Sequence, residues 1–276
     1  MIVAKKKRQR RKNMIPKVIH YCWFGGNELS DLAKNCIESW KKYCPNYEII
    51  EWNESNFDIE CCDFVKEAYQ AKKWAFVSDY ARLKIIYDNG GIYLDTDVEL
   101  IKTMDSLLKE NCYFGEETTG KVNTGLGFGA EKNNSVVQLL LKEYDGHHFT
   151  LVDGTYDMEP CPTKNTRPLT QFGYEFSGEN IWRTNEFAVF PPEFFCPIDY
   201  VTKVKTITNN TISIHLFNAS WQNPLDKIIN AIEGERKANV AFKIRRLVSL
   251  PFRIVNKIVK NGFINTIKFC IYKCTF

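Results

Sequence analysis

Two aspartates one residue apart, Asp95 and Asp97, are the side chains of this sequence best suited to chemistry. They follow Gly90, Gly91 and a short apolar run, residues 92–94, which we expect to be a strand that delivers both carboxylates to its C-terminal end. If the chain stays extended, the two side chains share a face. If it turns, one contacts a cation directly and the other through water. Carboxylate oxygens suit Mg²⁺ or Mn²⁺, so the pattern predicts a divalent-cation site; the alternative for an isolated triplet is a solvated acidic turn.

A helix is predicted immediately before the glycines, over Trp74–Asn89, with Gly90 at its end. Asp79 and Arg82 are three residues apart on this helix and therefore lie on one face. Alone, such a pair is a surface ion pair that contributes roughly a few tenths of a kcal/mol. Beside the strand that carries Asp95, a second interpretation is that Asp79 accepts a substrate hydroxyl while Arg82 faces a sugar or phosphate oxygen.

Aromatic and polar residues near other strand ends are further candidates. Trp23 ends a predicted first strand, where it could stack on a nucleobase or belong to the core. His215 lies where a late strand opens into a loop, and an imidazole can complete a carboxylate-bound Mn²⁺ site; a structural role is the alternative. The other candidates are Asn218 and Ser220 after that strand, Trp221 as a lid over a nucleotide, and Asn165, Arg167 and Thr170 as polar contacts.

The order of elements that must position these residues predicts an α/β fold. Strand, loop, helix and strand alternate in the first half, which indicates a parallel sheet with crossover helices and ligands at the carboxyl ends of its strands. The other expected strands and helices are strands over 18–23, 47–52, 112–116, from 122, 187–190 and 211–216, and helices over 30–45, 63–72 and 134–144. The glycines after Val122 indicate close backbone approach to a ligand. Residues 145–184 lack periodicity, as in a substrate-facing insertion.

The bulk composition is that of an ordinary globular protein, with 44% hydrophobic and 25% charged residues among 276. We expect no transmembrane helix and no secretory signal, because the chain lacks a run of about 18 uncharged apolar residues and an apolar segment behind its basic start. The ten cysteines are scattered, with one adjacent pair. They favour a reduced, cytoplasmic protein over a disulfide framework.

The net charge of +4 hides a strong segregation of charge along the chain. Residues 1–13 carry seven Lys or Arg and residues 236–276 carry ten, neither with an acidic residue, whereas the rest holds 20 basic and 33 acidic residues. We therefore expect a basic disordered arm over 1–13, one α/β domain over 14–225 and a basic amphipathic helical tail over 226–276. Such a tail suits an anionic membrane surface, on the inner face of the plasma membrane; packing on the domain is the alternative. Nucleic acid is not expected, since no binding motif accompanies the basic ends.

Three stretches in fixed order, IPKVIHYCW, SDYARLKIIYDNGGIYLDTDV and HLFNASW, resemble the glycosyltransferases that contain the DXD sugar-binding region, family 32. The resemblance spans roughly residues 15–221. It implies a GT-A fold, Mn²⁺ or Mg²⁺, and a nucleotide-sugar donor, a UDP-sugar in preference to a GDP-sugar. It also implies hexose transfer with retention to a glycan or lipid-linked glycan acceptor, in surface or capsular polysaccharide synthesis.

The resemblance also implies a role for individual residues. These roles are base stacking for Trp23, donor-sugar binding for Asp79 and Arg82, lining of the nucleotide site for Tyr93, contact with ribose, sugar or metal for Asp95, and metal binding for Asp97. His215 would be the third metal ligand. The family usually has a second His beside it where this chain has Leu216, so Asn218 is a rival ligand.

Two other classes of protein share part of this pattern. The sequence IYLDTDV also fits the opening motif of haloacid-dehalogenase phosphatases, in which the first Asp is phosphorylated. Those enzymes need a later Gly-Asp pair for Mg²⁺, and this chain has no Gly-Asp dipeptide. A non-catalytic sugar-binding protein is the other alternative, and mutation of Asp97 would then leave no donor hydrolysis to lose.

Overall fold

The structure is a computed structural model that describes residues 14–176, 178–199, 204–218, 249–253 and 255. The described residues form two compact units, the first over 14–150, 157–199 and 204–216 and the second over 151–156, 217–218, 249–253 and 255. Every helix and strand named below belongs to the first unit. The basic arm and most of the basic tail lie outside the described residues, so the domain boundaries proposed from the sequence stay predictions.

Among the residues that the structure describes, ten strands form a large mixed sheet and a small two-stranded one. They are β1 (Val18–Cys22), β2 (Glu48–Trp52), β3 (Gly91–Tyr93), β4 (Val98–Leu100), β5 (Cys112–Glu116), β6 (Val122–Asn123), β7 (Phe128–Ala130), β8 (Trp182–Arg183), β9 (Ala188–Phe190) and β10 (Ser213–His215). The large sheet has the order β2-β1-β3-β7-β5-β9-β8, with β6 beside β5, and β10 pairs with β4. β2, β1 and β3 are parallel, and β7 enters antiparallel between β3 and β5.

Within the first unit of the described residues, six α-helices accompany the sheet. They are α1 (Asp31–Tyr43), α2 (Asp63–Gln70), α3 (Trp74–Asn89), α4 (Ser135–Leu141), α5 (Cys161–Leu169) and α6 (Pro192–Phe195). Capping side chains fix where α1 and α4 begin, since Ser30 accepts a hydrogen bond from the backbone N–H of Ala33 and Asn134 accepts from Val136. Gly90, with a φ of 71°, ends α3 and turns the chain into β3.

His20 ties the three parallel strands together at their centre. Its Nδ1 accepts a hydrogen bond from the Trp52 indole N–H at 3.0 Å, and its Nε2 lies 3.0 Å from the Gly90 carbonyl oxygen. The ring is therefore neutral, with its proton on Nε2, and burial lowers the pKa of His20 to about 4. This contact fixes the glycine corner from which β3 starts.

Helix α1 supports β4 through two side-chain hydrogen bonds. The Trp40 indole donates to the backbone oxygen of Val98 at 2.7 Å, and the backbone N–H of Leu100 donates to the hydroxyl of Ser39 at 2.9 Å. Both groups lie on the face of α1 that packs against β4. The short strand that follows the paired aspartates is thereby held against the main body of the fold.

The predicted fold class, an α/β sheet flanked by helices, is confirmed, and α3 and β5 have the predicted bounds. Two expectations were wrong. The segment from Val122 is not one strand but β6 and β7 joined by a glycine-containing turn. The insertion over 145–184 contains helix α5, whose helical periodicity is obscured by Pro162 and Pro168. The parallel pairing expected for the first half is confirmed in β2, β1 and β3, and β7 adds an antiparallel neighbour to β3.

Candidate active site

The chain turns immediately after β3, which decides between the two geometries left open for the paired aspartates. The backbone N–H of Val98 donates to the carbonyl of Asp95 at 3.0 Å, which closes a turn over residues 95–98. The side chains of Asp95 and Asp97 are 26% and 17% exposed. Both carboxylates therefore occupy a recess at the carboxyl end of β3 and are not part of a freely solvated loop.

The third member of the cluster arrives through the small sheet. In the β4–β10 pairing His215 lies opposite Val98, and the backbone N–H of Leu216 donates to the carbonyl oxygen of Asp97 at 2.9 Å. His215 Nε2 consequently lies 3.2 Å from Asp97 Oδ1. One ligand atom from each of Asp95, Asp97 and His215 falls within 4.8 Å of the other two.

These three groups fit a divalent cation. Two carboxylates and an imidazole are a donor set that Mn²⁺ accepts, and Mg²⁺ binds through carboxylates with the remaining positions held by water and phosphate. Burial lowers the pKa of His215, but the charge of Asp97 and its hydrogen bond outweigh that effect and raise it above the usual value. A cation bound between Asp97 and His215 would lower the pKa of His215 instead, because an imidazole must be neutral to bind a metal.

Arg82 joins the cation cluster to helix α3. Its Nη2 lies 3.0 Å from Asp79 Oδ1 and 3.2 Å from Asp95 Oδ1, and its Nε donates to the Ser78 carbonyl at 3.0 Å. The guanidinium also lies 5.0 Å from the centre of the Tyr93 ring. The side chain is only 4% exposed, so the Asp79–Arg82 pair is a buried part of the site and not a surface ion pair.

Hydrogen bonding and burial set the charge states around Arg82. The Tyr93 hydroxyl donates to Asp95 Oδ1 at 3.0 Å. Burial raises the pKa of Asp95, Arg82 opposes the rise and Asp97 adds to it. Burial also raises the pKa of Asp79 to about 6 against the opposing charge of Arg82. Two carboxylates, Asp79 and Asp95, thus share the Arg82 guanidinium, and the carboxylate of Asp97 lies beside His215. A divalent cation would offset the repulsion between these carboxylates.

Gly125 forms a wall of the recess against Asp95 and Arg82, and sequence reasoning did not single it out. A Cβ at this position would lie 2.2 Å from Asp95 Oδ2 and 2.9 Å from Arg82 Nη1. Its N–H donates to Asn123 Oδ1 at 2.7 Å, and its carbonyl accepts from the N–H of Asp95 at 3.3 Å. The sequence did predict close backbone approach in the segment after Val122, because of its glycines, but not at Gly125 in particular.

The remaining predicted residues fall into three groups. Trp23 is half-buried directly after β1, and its indole donates to the carbonyl of Asn27 at 2.7 Å. Asn165 is buried and donates to Thr124 at 3.0 Å, behind the Gly125 wall, whereas Arg167 forms exposed ion pairs with Glu143 and Glu159. Thr170 donates to the Arg167 carbonyl, a local helix-end contact.

Ser220 and Trp221 lie outside the described residues, and Asn218 belongs to the second unit.

An α/β sheet with acidic ligands and a buried Asp–Arg pair at the carboxyl ends of its parallel strands defines a class of ligand-binding α/β proteins. Residues 30–114 match the model of the glycosyltransferase sugar-binding region containing the DXD motif. The match includes α3, β3 and the paired aspartates, and excludes Trp23 and His215. Residues 30–114 are therefore similar to the DXD-containing sugar-binding region of glycosyltransferases.

Two curated relatives agree with this family. The chain is 30% identical over 157 residues to inositol phosphoceramide mannosyltransferase 3 of Schizosaccharomyces pombe, covering 53% of this chain and 43% of the relative. It is 27% identical over 171 residues to an uncharacterized glycosyltransferase of Acanthamoeba polyphaga mimivirus, covering 56% and 67%. The chain therefore spans less than half of the yeast relative's length.

The chain also has a distant similarity to two solved structures of glycosyltransferases. One is the PaToxG glycosyltransferase, with a TM-score of 0.41, 20% identity and coverage of 58% of this chain and 70% of that one. Another is a glycosyltransferase involved in the glycosylation of the major capsid of PBCV-1, with a TM-score of 0.42, 15% identity and coverage of 75% and 95%.

Proposed function

We propose that this protein is a metal-dependent retaining glycosyltransferase that moves a hexose from a nucleotide sugar to a glycan or lipid-linked glycan acceptor. The observation that carries the proposal is the cluster of Asp95, Asp97 and His215, with ligand atoms within 4.8 Å, next to the buried Asp79–Arg82 pair. The donor we propose is a UDP-sugar in preference to a GDP-sugar, with Mn²⁺ or Mg²⁺. The process we propose is surface or capsular polysaccharide synthesis.

The charges of the site suit cleavage of a sugar–diphosphate bond. Breaking the anomeric C–O bond places negative charge on the leaving diphosphate and positive charge on the sugar. Asp97, His215 and Asp95 would hold a divalent cation, and that cation would stabilise the charge of the diphosphate. The carboxylates of Asp79 and Asp95 provide a negative surface for the sugar. Attack by the acceptor hydroxyl on the same face completes the proposed reaction.

Arg82 has the positioning role in this proposal. Its guanidinium holds Asp79 and Asp95 at 3.0 and 3.2 Å, and Tyr93 holds the same Asp95 oxygen from the other side. The two carboxylates are therefore fixed before substrate arrives, which lowers the cost of organising the transition state. Asp79 would accept a hydroxyl of the donor sugar, and Trp23 would stack on the base at the end of β1.

A screen of nucleotide sugars tests the proposal. Purified protein is incubated with UDP- and GDP-hexoses, with and without Mn²⁺, and release of the nucleotide is measured. We expect hydrolysis of one donor that requires the cation and falls by about 10²-fold or more in Asp97→Asn, given the usual effect of removing a charge-stabilising group. Asp88→Asn is the matched control, since Asp88 pairs with Lys84 on the surface of α3. Metal-dependent binding of a donor without any turnover would instead support a sugar-binding protein.

The phosphatase alternative predicts a different outcome in the same assay. A phosphatase would release inorganic phosphate from a phosphomonoester through a phosphorylated Asp95. In the structure both Asp95 oxygens lie near Arg82, at 3.2 and 3.5 Å, and Gly125 crowds one of them. This crowding favours a fixed binding role for Asp95 over that of an attacking nucleophile.

Membrane contact through the basic tail is a separate part of the proposal. It is supported by the ten basic and no acidic residues of 236–276, at helical spacing with apolar residues. Within the part of the chain that the structure describes, no helix is long and apolar enough to cross a bilayer. A peripheral position on the inner face of the plasma membrane would bring the site to a lipid-linked acceptor.

A further inference from the structure

Phe176 is an exposed aromatic side chain packed against the turn that joins β5 to β6. The side chain is 54% exposed. A Cβ on Gly120 would lie 3.0 Å from Phe176 Cγ, and a Cβ on Gly178 would lie 3.2 Å from its Cζ. Two glycine backbones therefore contact the ring at its base and at its tip. More than half of the side chain stays open to solvent.

The contacts that fix the ring are made by backbone of restricted shape. Gly120 and Gly178 have φ values of +80° and +65°, where side chains are rarely tolerated. Two residues before the ring, Tyr174 is 4% exposed and donates its hydroxyl to the buried carboxyl of Glu116. The segment is thus anchored to Glu116 at the end of β5 while Phe176 stays exposed. Isolated exposed apolar residues are common, but few are held on two glycines in this way.

The turn beneath Phe176 leads to the candidate active site by three hydrogen-bonded steps. The N–H of Gly120 donates to the Glu117 carbonyl at 2.9 Å, and the side-chain amide of Asn123 donates to Glu117 Oε1 at 2.6 Å. Asn123 in turn accepts from the N–H of Gly125, the residue that walls Asp95. Phe176 therefore packs on the turn whose Glu117 and Asn123 lead to Gly125, the residue that lies against Asp95.

The order of the sheet separates Phe176 from the proposed nucleotide end of the site. Trp23 follows β1, which flanks β3 on one side, whereas the β5–β6 turn lies beyond β7 on the other side of β3. Asp95 is at the end of β3, between the two. A donor that extends from Trp23 to Asp95 would leave the Phe176 side of the recess for the second substrate.

We infer that Phe176 is a stacking platform for a pyranose ring of the acceptor glycan, an inference that rests on the proposed function. The face of an aromatic ring carries partial negative charge. The C–H groups on the apolar face of a pyranose carry partial positive charge, so the two faces attract while the sugar hydroxyls remain solvated or bonded at the rim. A fixed ring at the recess would select acceptors that present such a face.

Ligand-observed saturation-transfer NMR tests the platform directly. The sample is the full chain with UDP and Mg²⁺, without Mn²⁺. The probes are the α- and β-methyl pyranosides of mannose, glucose and galactose. We expect transfer from aromatic protein protons to ring C–H protons of at least one probe, and a loss of roughly tenfold in its affinity in Phe176→Ala, the size of effect of an aromatic contact. Phe176→Trp should retain binding. Ile207→Ala is the matched control, since Ile207 is 51% exposed in the same unit.

Two results would overturn the inference: no transfer to any of the six probes in the unmodified protein, or equal affinities in Phe176→Ala and Ile207→Ala. Donor hydrolysis without acceptor, measured in parallel, separates this from the proposed function. Phe176→Ala should hydrolyse the donor within about twofold of the unmodified rate, because a group that binds only the acceptor does not stabilise that transition state. If the unmodified protein hydrolyses no donor, the glycosyltransferase proposal is rejected, whatever the pyranoside probes show.

Discussion

Gly125→Ala should disable the site through a single methyl group. The added Cβ would lie 2.2 Å from Asp95 Oδ2, and real Cβ atoms essentially never approach another heavy atom closer than 3.0 Å. The carboxylate would have to retreat by at least about 0.8 Å, a displacement that exceeds the roughly 0.5 Å within which a functional group must be held. Arg82 Nη1, at 2.9 Å from the same Cβ, would move with it.

The expected effect is larger on catalysis than on stability. Overpacking a well-packed region costs about 1–3 kcal/mol, which would lower the melting temperature by several degrees in a domain of this size. A misplacement of about 1 Å at reacting groups can cost about 10²-fold in rate. We therefore expect metal-dependent donor hydrolysis to fall by about 10²-fold and the Mn²⁺ concentration for half-maximal rate to rise by about tenfold or more.

Two variants control for simple destabilisation. Gly129→Ala crowds Tyr113 inside the sheet, with the new Cβ 2.7 Å from Tyr113 Cε1, so it should lower the melting temperature without raising the Mn²⁺ requirement. Gly125→Ala combined with Asp95→Ala removes the clashing oxygen and should recover part of the lost melting temperature, without activity. Gly125→Ala with an unchanged Mn²⁺ requirement and rate would refute the close approach of this backbone to Asp95.

Two further predictions concern other parts of the chain. Burial lowers the pKa of His20 to about 4 from 6.5, so its contribution to stability is fully present above pH 6.5 and is lost as the pH falls toward 4, by up to about 3 kcal/mol. His20→Gln should show a smaller drop in urea midpoint between pH 7.5 and 4.5 than the unmodified protein. An equal drop in both proteins would contradict a buried, neutral His20. Deletion of residues 236–276 should release the protein from liposomes of anionic lipid in sedimentation assays, and unchanged binding would reject the membrane role of the tail.

The parts of the fold that the sequence predicted well are those decided by local interactions. The bounds of α3 follow from helical spacing and from Gly90, whose positive φ ends the helix. The start of α1 follows from the capping hydroxyl of Ser30. α5 was missed because Pro162 and Pro168 are usually helix breakers; Pro162 lies in the first turn, where no N–H is needed, and the helix ends at Leu169 directly after Pro168.

The site was predictable from sequence where its residues share one segment. Asp79, Arg82 and Asp95 lie on α3 and on the turn after β3, and the structure brings them within 3.2 Å through the guanidinium. Burial of the pair could not be read from an i,i+3 spacing, which is the same for surface pairs. The glycines after Val122 predicted close backbone approach but did not single out Gly125, whose role depends on the pairing of β7 with β3, a contact between distant segments.

His215 shows why the complete metal cluster could not be predicted from local sequence patterns. Its position beside Asp97 is set by β4, a strand of three residues that is too short for a detectable alternation and was not predicted. β4 is held in turn by Trp40 and Ser39 of α1, through the hydrogen bonds to Val98 and Leu100. The geometry of the proposed cation site therefore depends on a helix that contributes no ligand. His215 was a candidate in advance only through its place at a strand end and through the family resemblance, not through any pattern that linked it to Asp97.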